Sequence, residues 1–134
     1  MEGLSAELRR FVFERAEGRC EYCLLPQRVA LHKHEPDHSI PRQHGGQTQA
    51  DNLALACFRC NRYKGPNLGS IDPLSNELVG FYNPRRHVWQ EHFELIAGEI
   101  LAQTPEARVT IAIFRLNNDD RVAERRALIA AGIY

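Results

Sequence analysis

Four cysteines stand in two pairs of identical spacing, Cys20-x-x-Cys23 and Cys57-x-x-Cys60. Thiolates at that spacing grip one metal ion from both ends of a tight turn, and two such pairs supply the four sulfur ligands of a tetrahedral structural zinc. Disulfide pairing and thiol–disulfide exchange are the competing uses. Exchange needs one pair opening a helix and leaves the second without a role, and nothing in the sequence suggests export to an oxidising compartment. Residues 24–56 lie between the pairs, a longer stretch than the roughly 15–20 residues of a simple zinc ribbon. Something is therefore inserted between the knuckles. The insert contains Asp37-His38, the run Pro41-Arg42-Gln43-His44-Gly45-Gly46 and Asp51-Asn52-Leu53, and Asn61 directly follows the last cysteine.

These residues need elements to hold them. Ser5 is placed to cap a helix running to about Glu17, because Leu4, Leu8, Phe11, Val12 and Arg15 recur at three and four residues and Gly18 stops the run. After the first knuckle, Arg28-Val29-Ala30-Leu31-His32 alternates in strand-forming residues and predicts the first strand of a hairpin, with Pro36 beyond it. Residues 41–49 are loop chemistry, and Leu53-Ala54-Leu55-Ala56 predicts a short buried strand entering Cys57. A helix should open at Cys57, run to about Lys64 and end at Gly65-Pro66. Residues 66–92 are turn-rich and predict an irregular segment over the core. Thr104-Pro105-Glu106 is a helix start followed by a stripe of Val109, Ala112, Ile113 and Leu116, though Val-Thr-Ile-Ala-Ile-Phe also alternates as a strand would. A last helix spans about Asp119 to Ala131 with Val122, Arg126 and Ile129 on one side.

A 134-residue chain with 43% hydrophobic residues has enough apolar material for one domain. With 17 basic and 17 acidic side chains it has no global basic field, so any nucleic-acid partner must meet a local patch. No run approaches the roughly 18 apolar residues that span a bilayer, and Met1-Glu2-Gly3-Leu4 lacks a signal-peptide pattern. The expectation is a cytoplasmic protein with no membrane partner.

Taken in order, Cys-x-x-Cys, Asp-His-x-Ile-Pro, Gly-Gly and Asn-Leu-x-Leu-x-Cys-x-x-Cys-Asn-x-x-Lys resemble the HNH nucleases, the ββα-metal or His-Me finger group. The resemblance covers about residues 17–65 and is nearest the subgroup with a four-cysteine zinc staple. It implies an α+β fold: a ββα-metal core within a treble-clef-like zinc site on Cys20, Cys23, Cys57 and Cys60, an N-terminal helix and a mainly helical C-terminal extension. The whole would form one domain over residues 1–134, divided into an N-terminal helix (1–19), the zinc-stapled core (20–65) and the extension (66–134).

The implied activity is metal-dependent hydrolysis of DNA phosphodiesters, on a double-stranded substrate, by an enzyme able to act as a homodimer. Such hydrolysis needs a base for water, positive charge at the phosphate and help for the departing oxygen. His38 supplies the base, since a neutral imidazole can take the water proton if its other nitrogen is held. The resemblance assigns that orienting role to Asn52. Asp37 and Asn61 offer two hard oxygen ligands that suit Mg²⁺ or Mn²⁺. Arg42, Arg59, Arg62 and Lys64 cluster around this unit with Arg85 and Arg86, and Arg42, Arg62 and Lys64 are the candidate phosphate contacts.

Neighbouring strand residues face opposite ways, so Asp37 and His38 can share a site only at a strand end or bulge. Pro36 and Ser39 stand where relatives commonly carry apolar residues, which leaves the strand geometry open. His32, His34 and His44 are secondary candidates, and His44 lies in the loop where DNA should approach. Trp89, His92 and Phe93 are expected to pack. The alternative from another class is a zinc module that binds DNA or protein without cutting. No motif of an RNA-reading module is present.

Overall fold

The computed structural model describes residues 3–134; the Met1-Glu2 portion of the expected leaderless start lies outside them. The first helix, α1 (Ala6–Arg15), is capped by Ser5, whose hydroxyl accepts the Leu8 N–H at 3.0 Å. Gly18 ends the turn in the left-handed region at φ +71°, donating its N–H to Phe13 O.

The first strand is not Arg28–His32. That segment forms a 3₁₀ turn (Gln27–Val29) and irregular chain, and β1 is Glu35–His38, antiparallel to β2 (Leu53–Ala56). Pro36 is tolerated because it pairs with Leu55, whose N–H and C=O point away from β1, onto the Glu21 carboxylate and the Glu21 N–H. A residue opposite such a position has no ladder bond to donate, so the missing N–H is not felt. Residues 39–52 form a long loop containing two 3₁₀ turns, Arg42–His44 and Ala50–Asn52.

All four residues of β2 are buried, with layers on both sides. Leu53 and Leu55 pack with Val12, Leu4 and Leu8 of the N-terminal segment, each burial worth about 1.5–3 kcal/mol. Ala56 joins the other cluster, where the cysteines meet Tyr22, Phe81, Phe93 and Phe114. The second helix, α2 (Phe58–Lys64), follows β2 directly and is capped by Cys57, whose sulfur accepts the Cys60 N–H at 3.4 Å.

The extension is richer in strands than its composition suggests. Two hairpins, β3 (Gly69–Ile71) with β4 (Leu78–Gly80) and β5 (Phe93–Ile96) with β6 (Glu99–Ala102), flank the short helix α3 (Trp89–His92). Helices α4 (Pro105–Phe114) and α5 (Asp119–Ala130) follow, so the helical reading of Val109–Phe114 prevails over the strand. The buried face of α5 carries Arg121, Val122 and Arg125; Arg126 and Ile129 lie at the surface. Asp72 joins the parts: it caps its own turn through Leu74 N–H and Ser75 Oγ and receives the Arg108 guanidinium on both oxygens at 2.8 and 2.9 Å. Among the described residues no helix is long and apolar enough to cross a membrane.

Candidate active site and metal centre

Both knuckles turn backbone N–H groups onto a cysteine sulfur. Backbone N–H groups of Tyr22 and Cys23 point at Cys20 Sγ, each at 3.4 Å, repeating the Cys60-to-Cys57 contact of the second pair. The four sulfurs are buried and lie within 4.8 Å of one another, an arrangement able to hold a metal ion. The fit to zinc can be tested on geometry. Ligands at about 2.3 Å in a tetrahedron leave sulfur–sulfur edges of about 3.8 Å, and Cys23 Sγ and Cys57 Sγ stand 3.7 Å apart. Burial pushes the Cys20 and Cys60 thiols up, whereas hydrogen bonds with Cys20 first, and with Cys60, hold Cys23 and Cys57 down.

Arg121, which the sequence did not single out, reaches this cluster from α5. Its Nη2 lies 3.2 Å from Cys60 Sγ and 3.8 Å from Cys57 Sγ, and its Nη1 donates to Phe114 O at 2.8 Å. Burial by itself would lower the guanidinium pKa, but the negative sulfurs of Cys60 and Cys23 outweigh it and raise it. A four-thiolate zinc site carries excess negative charge, and one buried cation beside it offsets part of that.

The second constellation lies where the hairpin meets α2. Asp37, His38, Arg42 and Asn61 border one cleft with Pro36, Pro41 and Gly65. His38 ends β1, so the alternation that would part it from Asp37 lapses at that point, without a bulge. Asp37 is buried. Its Oδ2 accepts the Tyr22 hydroxyl at 3.0 Å, and Lys64 Nζ lies 3.2 Å from the same oxygen and 3.4 Å from Oδ1. Burial raises the Asp37 pKa, with Lys64 and Tyr22 pulling the other way.

Lys64 corrects one expectation. As a candidate phosphate contact it should be exposed, yet it is 2% exposed, and its ammonium donates to His38 O at 2.8 Å as well as to Asp37. The physical reason is its place in the last turn of α2, on the side facing β1, where a buried carboxylate needs a partner.

The His38 ring is held by Thr48, Nε2 to Oγ1 at 2.9 Å, and not by Asn52. Asn52 instead ties the loop: Oδ1 accepts the Ile40 N–H at 2.9 Å, and Nδ2 donates to Ile40 O at 3.0 Å and Gln47 O at 2.9 Å. Gly46 completes this knot, since a Cβ there would sit 1.6 Å from Ile40 O and 2.8 Å from Asn52 Nδ2. Arg15 of α1 secures the far end of the loop through Ala50 O at 2.9 Å and Leu53 O at 2.6 Å. Burial, then the charges of Arg42 and Lys64, lowers the His38 pKa below the usual imidazole value. That shift favours the neutral ring.

The remaining candidates separate clearly. Arg62 is exposed on α2. Arg59 pairs with Asp120 and Glu124, and Arg85 with Glu21, so neither is free for a phosphate. His34 is buried, with Nε2 2.7 Å from Leu25 O, and His44 joins the loop to the end of α2 through Pro66 O at 3.0 Å. His32 stacks on Phe58. Trp89 and Phe93 pack together, and the indole N–H donates to Tyr22 O at 2.9 Å. Of the residues that sequence reasoning missed, Tyr22 had a signal, its place between two ligand cysteines; Thr48 had none.

A hairpin and a helix joined through two cysteine knuckles, with an Asp-His pair at the junction, define the class of construction. Residues 20–67 match the family model for HNH endonucleases. Comparison with curated proteins and with solved structures gave no match.

Proposed function

We propose that this protein is a metal-dependent endonuclease that hydrolyses DNA phosphodiester bonds. The observation that carries the reading is His38, fixed through Nε2 by Thr48 and bordering the same cleft as Asp37 and Asn61. A Thr48 hydroxyl that accepts from Nε2–H leaves Nδ1 as the proton acceptor. A water whose proton passes to Nδ1 attacks phosphorus, and the bond to the 3′ oxygen breaks. Asn52 keeps the loop bearing Thr48 in place, and Arg42 and Arg62 meet the phosphate backbone.

Asp37 and Asn61 are the residues that would hold Mg²⁺ or Mn²⁺. Their donor set fits: one carboxylate and one amide oxygen on a shared cleft suit an ion that keeps most of its waters. Tyr22 and Lys64 occupy only part of the carboxylate's lone pairs. When bound, the cation supplies charge stabilisation at the phosphate and the leaving oxygen. Zinc on the four cysteines has no chemical part; it keeps the helix bearing Asn61 in register with the strand bearing Asp37. One such site cuts one strand, so a double-strand break requires two copies or two encounters.

The second reading, a zinc module that binds without cutting, draws its support from Lys64, which already gives Asp37 a cation. A plasmid assay decides between them. Parent protein with Mg²⁺ or Mn²⁺ should convert supercoiled DNA to nicked or linear forms, and His38→Ala at equal zinc content should be slower by about 10²–10⁴-fold. Equal DNA binding by both with cutting by neither establishes the module.

A further inference from the structure

A second cavity lies apart from the Asp-His cleft. It lies on the other flank of α2, encloses about 360 Å³ and is walled by Leu31, His32, Phe58, Arg59, Arg62 and Tyr63, with the zinc cysteines Cys23 and Cys57 at its floor. That volume is at the small end of ligand pockets, which run from roughly 300 Å³ upward. Its rim is aromatic and exposed. Phe58 is 45% exposed although it is an apolar residue, the His32 ring stacks on it with centroids 4.5 Å apart, and Leu31 beside them is 93% exposed.

Charge at the rim has one sign. The one acidic wall residue, Glu124, is engaged by Arg59, whereas Arg62 has no ion pair among the described residues and hangs over the Phe58 ring at 5.9 Å. Tyr63 repeats the arrangement under Arg115 at 4.6 Å. Exposed rings flanked by unpaired guanidinium are what a nucleotide requires, a flat surface for the base and a cation for the phosphate. The position selects whose nucleotide. Arg62 borders the cavity and its neighbour Asn61 borders the cleft, so a strand with its phosphate in the cleft passes over the rim one residue away.

We propose that this cavity receives an unpaired nucleotide of the DNA being cut, its base on Phe58 and His32 and its phosphate against Arg62. The inference rests on the DNA-cleaving reading and gives it a substrate class: duplexes carrying a bulged, flapped or extruded nucleotide beside the scissile bond. Filling the cavity from a fully paired duplex requires unstacking, and an already unpaired base avoids that cost.

The test uses zinc-loaded full-length protein without added Mg²⁺ or Mn²⁺, so that binding is read apart from cutting. Two DNAs of equal length are compared, one fully paired and one with a single 2-aminopurine bulge, by anisotropy and by 2-aminopurine fluorescence. The expected result is about tenfold tighter binding of the bulged DNA with quenched fluorescence, and loss of most of that preference in Phe58→Ala. Arg62→Gln and His32→Ala, at exposed positions, are the second variants should Phe58→Ala misfold. Equal affinity for the two DNAs, or a preference untouched by all three substitutions, overturns the proposal and leaves the cavity to another class of partner. Adding Mg²⁺ separates the two readings. Bulge preference without cutting removes the nuclease and keeps the pocket; cutting without bulge preference removes the pocket and keeps the nuclease.

Discussion

Lys64 Nζ lies 3.2 Å from Asp37 Oδ2, with the two side chains 2% and 7% exposed. A buried charge is tolerated only with its partner, so removing one member strands the other. Lys64→Met should therefore destabilise the fold by about 3–5 kcal/mol, and Asp37→Asn by a similar amount. The double variant should lose clearly less than the sum of the two. Urea unfolding with zinc kept saturating measures all four proteins; additivity within about 0.5 kcal/mol would mean that the pair is not coupled.

His38 fixes the expected pH dependence of cutting. Its function needs the unprotonated ring, and burial with the charges of Arg42 and Lys64 lowers its pKa. The midpoint of the acidic limb of the kcat/KM profile should thus fall below the ordinary imidazole midpoint of about 6.5. Thr48→Val removes the partner of Nε2 and should lower kcat about ten- to a hundredfold through ring misplacement, with zinc content unchanged. An acidic limb above the ordinary midpoint, or a Thr48→Val enzyme of parental rate, removes His38 from the role of base.

The parts of the fold that were legible in the sequence are those in which local chemistry and tertiary demand agree. Ser5 caps α1, Leu53–Ala56 is a strand, and Cys57 opens α2. The displaced first strand shows the limit. The sequence reading put Pro36 beyond the strand, and only the Glu21 contacts to Leu55 reveal that no N–H is wanted there. The hairpin of β5 and β6 was hidden because its turn is Ala97-Gly98, with φ of +52° and +86°, where the familiar signal is Asn-Gly or Asp-Gly. In the candidate site, the family resemblance singled out Asp37, His38, Asn52 and Asn61; the first two and Asn61 border one cleft, whereas Asn52 ties the loop beside it. The actual partners, Tyr22, Lys64 and Thr48, are choices between side chains several turns apart, which spacing does not encode.

The loop that carries Thr48 depends on the Asn52 knot. Asn52→Ala would leave Ile40 N–H, Ile40 O and Gln47 O without their partner, at about 1–3 kcal/mol for each group that water does not reach. Gly46→Ala meets backbone that cannot step aside, with Ile40 O at 1.6 Å. Both variants should show faster amide hydrogen exchange across residues 39–52 while α4 and α5 keep their protection. Parental exchange in that loop would show that Asn52 and Gly46 do not set its conformation.

Zinc retention should depend on a residue far from the knuckles in sequence. Arg121 Nη2 is 3.2 Å from Cys60 Sγ and 3.8 Å from Cys57 Sγ, and its Nη1 is held by Phe114 O. Arg121→Gln keeps a polar group of similar reach but removes the charge, and should weaken zinc binding about ten- to a hundredfold in competition with a chromogenic chelator. Complete removal of the metal should leave four reactive thiols per chain and loosen α2 from β1, so that added Mg²⁺ alone restores no cutting. The charge has a distinct signature, because Arg121→Lys should recover much of the affinity that Arg121→Gln loses. Equal zinc affinity in parent, Gln and Lys proteins would reduce Arg121 to a tether between α5 and Phe114 O.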